Sequence, residues 1–168
     1  MSNMIEDLPE PVEIVEDIKP VKSKKVITKT YNLFEPINEN VKLPSNDGRS
    51  VWLLKPYFEK DVLLEACLSD NTRVNKKIDF INGNSSLLIN SGERVIIDTG
   101  LDFYPKAGSV YFGKYVPELV FEYNITSDLL IEDRLKVGLT NNSNARVRIM
   151  DDTFICELVI IEKEKENG

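Results

Sequence analysis

Three acids near the end of the chain, Asp151, Asp152 and Glu157, are of a type that could hold a hard cation such as Ca²⁺ through their oxygens. A calcium loop needs ligands at alternate positions, and this trio lacks that spacing, so it reads as a solvated turn. Gly83 to Ser85, G-N-S, reads likewise as a turn and not a phosphate loop. Ser85 and Ser86 have no histidine to activate them, because the chain contains none. That absence also excludes imidazole metal sites and histidine pH switches. The only thiols, Cys67 and Cys156, are too few for a metal cluster and read as packed, reduced side chains.

Composition narrows the classes further. At 168 residues the chain suits one domain, able to bury roughly 68 to 70% of its unfolded surface. A net charge of -7 disfavours binding to a polyanion, so no nucleic-acid partner is expected. No apolar run approaches the roughly 20 residues of a membrane span, and Met1 to Lys25 lacks the apolar centre of a signal peptide. The expectation is a protein of the cytoplasm or of a virion, with no membrane partner and no cofactor.

The elements that must position any site are mostly strands. Residues 1–25, broken by Pro9, Pro11 and Pro20 and rich in acids from Glu6 to Asp17, form an arm. It reads either as a solvated tail or as a docking segment carrying Ile14, Val15, Ile18 and Val21. Val26 onward alternates as a first strand that Pro36 ends. Asn46 to Gly48, N-D-G, is a turn before an apolar run in which Trp52 is core. Glu59 to Leu68 has helical spacing at Val62, Leu63, Ala66 and Cys67. Lys77 to Ile89 gives strand, N-G turn, strand, and Gly92 and Gly100 enclose another β-rich run. Leu135 to Ile149 reads as a hairpin about an Asn-rich turn, and Val147 to Ile161 adds β-branched runs. Ten or more short strands against at most one short helix make an all-β sandwich or barrel over residues 26–163, with 164–168 a charged tail.

From Ser91 on, the chain resembles the trimeric dUTPase family, which shares its jelly-roll-like fold with dCTP deaminases. S-G-E-R-V-I-I-D-T-G-L is similar to that family's "P-x-G-x-R-x-x-V-x-T-G-L", matching Gly92, Arg94, Thr99, Gly100 and Leu101. Pro105 to Gly108 resembles its "P-x-G" turn. D-L-L-I-E-D-R-L-K-V-G-L-T-N and V-R-I-M-D-D-T-F-I-C-E-L-V-I resemble two further motifs. Upstream, Val41 to Pro44 and Ile78 to Phe80 resemble the family's "A-K-L-P" and "Y-D-L", separated by an insertion over residues 45–76.

The resemblance implies hydrolysis of dUTP to dUMP and pyrophosphate with Mg²⁺, an Asp activating the water. Asp128 falls on that Asp, and Asp79 on the Asp of the first motif near the metal. Elsewhere the matched positions depart. The aromatic gate is Ile131, and the Arg-Gly after it is Glu132-Asp133. The phosphate-binding "P-R-S-S" falls near Tyr115 to Glu118, which has no Arg and no Ser. The fourth motif carries Asp152, Thr153, Phe154 and Glu157 at its Gly, Asp, Arg and Gln, and no Gly-rich tail follows. Asp79 and Asp128 are therefore read as vestiges, with no catalytic, substrate or metal residues expected. A rebuilt phosphate site would have to draw on Arg94, Lys114 and Arg134.

The expected function is a structural or interaction protein on a trimeric dUTPase-like platform, in a virion, with a protein partner reached through the arm. Two alternatives remain open: a nucleotide-binding regulator and a divergent dUTP nucleotidohydrolase.

Overall fold

Alternation of apolar and polar residues builds most of the strands. In β8 (Arg94–Asp98), Val95 and Ile97 point into the core while Arg94, Ile96 and Asp98 point out. A computed structural model describes residues 33–48 and 50–162. The arm with Ile14, Val15, Ile18 and Val21, the start of the expected first strand and the charged tail lie outside the described residues.

The opening strands are β1 (Phe34–Pro36), β2 (Ser45–Asn46), β3 (Val51–Leu54), β4 (Leu64–Cys67) and β5 (Arg73–Lys76). β6 (Asp79–Ile81), β7 (Asn84–Ile89), β8, β9 (Leu101–Phe103) and β10 (Val110–Lys114) follow. After helix α1 (Pro117–Tyr123) come β11 (Ile125–Ile131), β12 (Leu135–Asn141), β13 (Val147–Met150) and β14 (Cys156–Ile161). They form sheets ordered β10-β14-β3-β2, β11-β12-β8-β4-β5 and β13-β7-β6, with a β1-β9 ribbon. All described pairings are antiparallel. Leu54 and Leu158, Ile97 and Leu139, and Leu87 and Ile149 bring three sheets to one hydrophobic core. The all-β expectation holds, as a sandwich in which no barrel closes among the described residues.

The turns expected at Asn46 to Gly48 and Asn82-Gly83 are present. Gly48 (φ 90), Asn82 (φ 51) and Gly83 (φ 85) take the left-handed backbone that such turns need. Trp52 is buried, and the end of β1 falls at Pro36.

Two expectations are corrected. Glu59 to Leu68 is not a helix: β4 occupies its end, paired with β5 and β8, and its buried residues Leu64 and Ala66 follow period two. Val62 and Leu63 are exposed, so the apparent helical stripe is not buried. The helix lies instead at Pro117–Tyr123, with Pro in its first turn and Asn124 (φ 57) as a left-handed C-cap. Finally, Leu135 to Ile149 is not a hairpin, because β12 pairs with β11 and β8 while β13 pairs with β7. Buried Asn141 makes that crossing: Nδ2 donates to the Ile89 and Ala145 carbonyls (3.0 and 2.8 Å), and Oδ1 accepts from the Ser143 N–H (3.0 Å) and hydroxyl (2.7 Å).

The insertion is no appendage. Its β3 pairs with β14 and its β4 with β8, so residues 45–76 extend both larger sheets.

Candidate functional site

Asp128 lies on β11 opposite Gly138 of β12, which in turn lies opposite Ile96 of β8. Arg94, two residues before Ile96, is on the same outer face and reaches across Gly138 to Asp128. Its Nη2 donates to Oδ2 at 2.7 Å. A Cβ on Gly138 would meet Asp128 Oδ1 at 2.8 Å and also collide with the guanidinium. The glycine therefore makes room for this pair, as interior strand glycines often do where groups approach closely.

The other cations named from the sequence also face acids. Arg134 donates to Asp98 through Nη2 (2.9 Å) and Nε (3.3 Å), and this bond raises the arginine's pKa. Lys114 is the register partner of Glu157 across β10 and β14. Burial raises the Glu157 pKa; Lys114 opposes this, while Glu118 and Asp47 add to it. Glu118 stands in the first turn of α1, in the segment matched to the phosphate motif.

Asp79 lies in another sheet, on β6. It accepts from Arg148 Nη1 at 3.2 Å, and that nitrogen also donates to the Ser86 hydroxyl at 3.0 Å. The two matched aspartates thus each have a separate arginine. Nor do Asp151, Asp152 and Glu157 converge. Asp151 accepts from the Ser85 hydroxyl at 2.8 Å and faces Lys42 at 3.4 Å, Asp152 is exposed, and Glu157 is on β14. Among the described residues no group of three or more acids or cysteines is arranged to hold a metal.

The sequence reading missed two features. Gly138 was readable as a glycine inside a strand-like run. The other is buried Glu93, whose Oε1 accepts from Lys76 Nζ (2.7 Å) and the Asn90 N–H (2.8 Å). Lys76 comes from β5, 17 residues away, and no local pattern signalled it. Cys156 is buried, and burial pushes its thiol up to about 12, which makes it unreactive. No described helix is long and apolar enough to cross a membrane.

No family model matches the sequence, and no curated protein matches it. Solved structures do match. The dUTPase of Staphylococcus bacteriophage 80alpha aligns with 80% of this chain and 92% of its own, at a TM-score of 0.54 and 9% identity. The dUTPase of phage phi11 of S. aureus gives the same TM-score, identity and coverage. The dUTPase of Streptococcus mutans aligns with 80% of this chain and 98% of its own, at a TM-score of 0.53 and 14% identity. The chain has a dUTPase-like fold. At these identities the likeness concerns the fold alone.

Proposed function

We propose that this protein is a non-enzymatic interaction platform, a homotrimer built on the dUTPase-like fold and carried in a virus particle. The observation that carries this reading is the placement of its cations beside acids. Arg94, Lys114 and Arg134, which a triphosphate would need, face Asp128, Glu157 and Asp98. Glu118 adds a further negative charge where the resemblance puts phosphate. Like charges work against an anionic nucleotide. The Arg94–Asp128 pair is exposed and worth less than about 1 kcal/mol, so it does not by itself disable Asp128.

The trimer is supported by one sheet face. On the outer side of the β10-β14-β3-β2 sheet, Val110 pairs with Ile161 and Phe112 with Val159. Val110, Phe112 and Ile161 are all exposed. An apolar sheet face on an acidic protein is suited to contact between copies. The viral setting is supported by the two phage proteins among its structural relatives. The phage 80alpha dUTPase is described as controlling transfer of virulence genes by a G protein-like mechanism, which suits a role exercised through partners. Here residues 1–25 supply the contacts that reach a partner.

A second reading, a nucleotide-binding regulator or divergent dUTP nucleotidohydrolase, is favoured by the retention of Asp79 and Asp128 at matched positions. Isothermal titration with dUTP and a nonhydrolysable analogue, Mg²⁺ present, separates the two. The platform predicts no heat of binding, and saturable binding would favour the regulator or enzyme.

A further inference from the structure

Among the described residues, strand β6 is an open edge. It ends the β13-β7-β6 sheet, and Asp79, Phe80 and Ile81 are all exposed. Its pairing with β7 closes on a two-residue turn, Ile81 opposite Asn84. By the alternation of an antiparallel ladder, the Phe80 N–H and C=O then point away from β7. An unpaired edge of this kind is a template for another strand, and proteins ordinarily blunt it.

Both sides of that edge are apolar and basic. On one side Phe80 is 52% exposed, with Lys60 Nζ at 5.7 Å from its ring centroid. Exposed Val62 and Leu63 follow Lys60. On the other side a groove of about 520 Å³, lined by Val74, Lys76, Lys77, Asp79, Leu88 and Glu93, runs between β5 and β6. Lys76 is already bonded to Glu93 and Asp79 to Arg148, whereas Lys60 and Lys77 form no ion pair among the described residues. The surface asks for an extended segment with apolar residues on both faces and acids between them.

The chain contains such a segment. Val12 to Lys19, V-E-I-V-E-D-I-K, is a Pro-free stretch of one strand's length between Pro11 and Pro20. Extended, it would present Ile14, Glu16 and Ile18 on one face and Glu13, Val15 and Asp17 on the other. Each face carries apolar and acidic groups, to meet Phe80 and Lys60 on one side and Ile81 and Lys77 on the other. Reach is sufficient: the fifteen residue steps from Ile18 to Leu33 span roughly 50 Å when extended. A domain of this size has a radius of gyration of only about 14 Å.

We infer that residues 12–19 dock as an added strand on the free edge of β6 in a copy of this chain. This rests on the platform reading and names the partner of its arm: the arm straps the assembly together. The test uses the full chain with a photo-reactive residue at Val15, mixing isotopically heavy and light protein. Cross-links to residues 60–63 or 77–81 are expected, and a heavy-to-light link marks a neighbouring copy. Cross-links confined to the same chain, to the β10–β14 face, or to nothing overturn the inference.

Amide exchange gives an independent reading. The Phe80 amide should be protected in the full chain, and Ile14→Ser/Ile18→Ser should speed its exchange by roughly tenfold or more. Lys60→Glu/Lys77→Glu should do the same, and adding Glu13→Lys/Glu16→Lys should restore protection. Exchange at Phe80 that is fast in the full chain, or unchanged by the arm variants, contradicts the docking. Neither result depends on nucleotide turnover or on trimer mass, so failure here is distinguishable from failure of the platform reading.

Discussion

Arg94 and Asp128 meet at 2.7 Å over a strand position that only glycine leaves open. What the extra methyl of Gly138→Ala would strike is the far end of a flexible side chain, which can swing away. The variant should sever the pair and lower stability by no more than about 1 kcal/mol. A double-mutant cycle between Arg94→Ala and Asp128→Asn checks this. Coupling of about 0.2–1 kcal/mol should be present in the native background and absent with Gly138→Ala.

Gly113 is the contrasting case. A Cβ there would lie 2.5 Å from the Leu129 Cβ and 3.4 Å from Cys156 Sγ, where β10 crosses β11 and β14. A Cβ is tied to its backbone and cannot move aside. Gly113→Ala should destabilise by about 1–3 kcal/mol through overpacking, measured by urea unfolding.

Much of the fold was legible because its signals are local. Period-two burial in β8, the N-G turn at Asn82-Gly83 and the stop at Pro36 depend on residues next to one another. Pairing was less legible. Leu135 to Ile149 has every local mark of a hairpin, yet Asn141 sends its two strands to different sheets through bonds to Ile89, 52 residues away. The segment 59–68 misled for a similar reason: tertiary pairing of β4 with β8 overrides a weak helical spacing. At the candidate site, the sequence pointed to Asp79 and Asp128 by resemblance alone. That each has an arginine partner could not be read there, since Arg148 and Arg94 lie 69 and 34 residues away.

Asn141 supplies a test of that crossing. Asn141→Ala removes four bonds and strands buried carbonyls of β7 and the turn. Loss of about 2–4 kcal/mol is expected. Amide exchange should quicken first at Ser143 and Ala145.

Glu157 should leave a pH signature. Burial raises its folded-state pKa above the usual 4.5, so the folded protein holds this proton more tightly than the unfolded chain. Its contribution to stability is greatest at low pH and falls as pH rises through the raised value. Glu157→Gln, which keeps the uncharged form, should gain on the wild type across that window and hold its advantage at neutral pH. Paired thermal unfolding curves from pH 4 to pH 8 (roughly the titration range of a raised carboxyl) decide it.

The two thiols should differ. Cys156, buried and pushed up to about 12, should stay unalkylated by iodoacetamide in the native protein at mildly alkaline pH, while half-buried Cys67 reacts. Mass spectrometry of the digested protein reads both at once.

Release of pyrophosphate from dUTP by the purified full chain, with Mg²⁺, tests the central claim most directly. Loss of a single transition-state donor commonly costs on the order of 100- to 1,000-fold, and the proposed reading has several phosphate-holding groups replaced together. The account predicts release indistinguishable from background, unchanged by Asp128→Asn. Release above background that Asp128→Asn abolishes would contradict it.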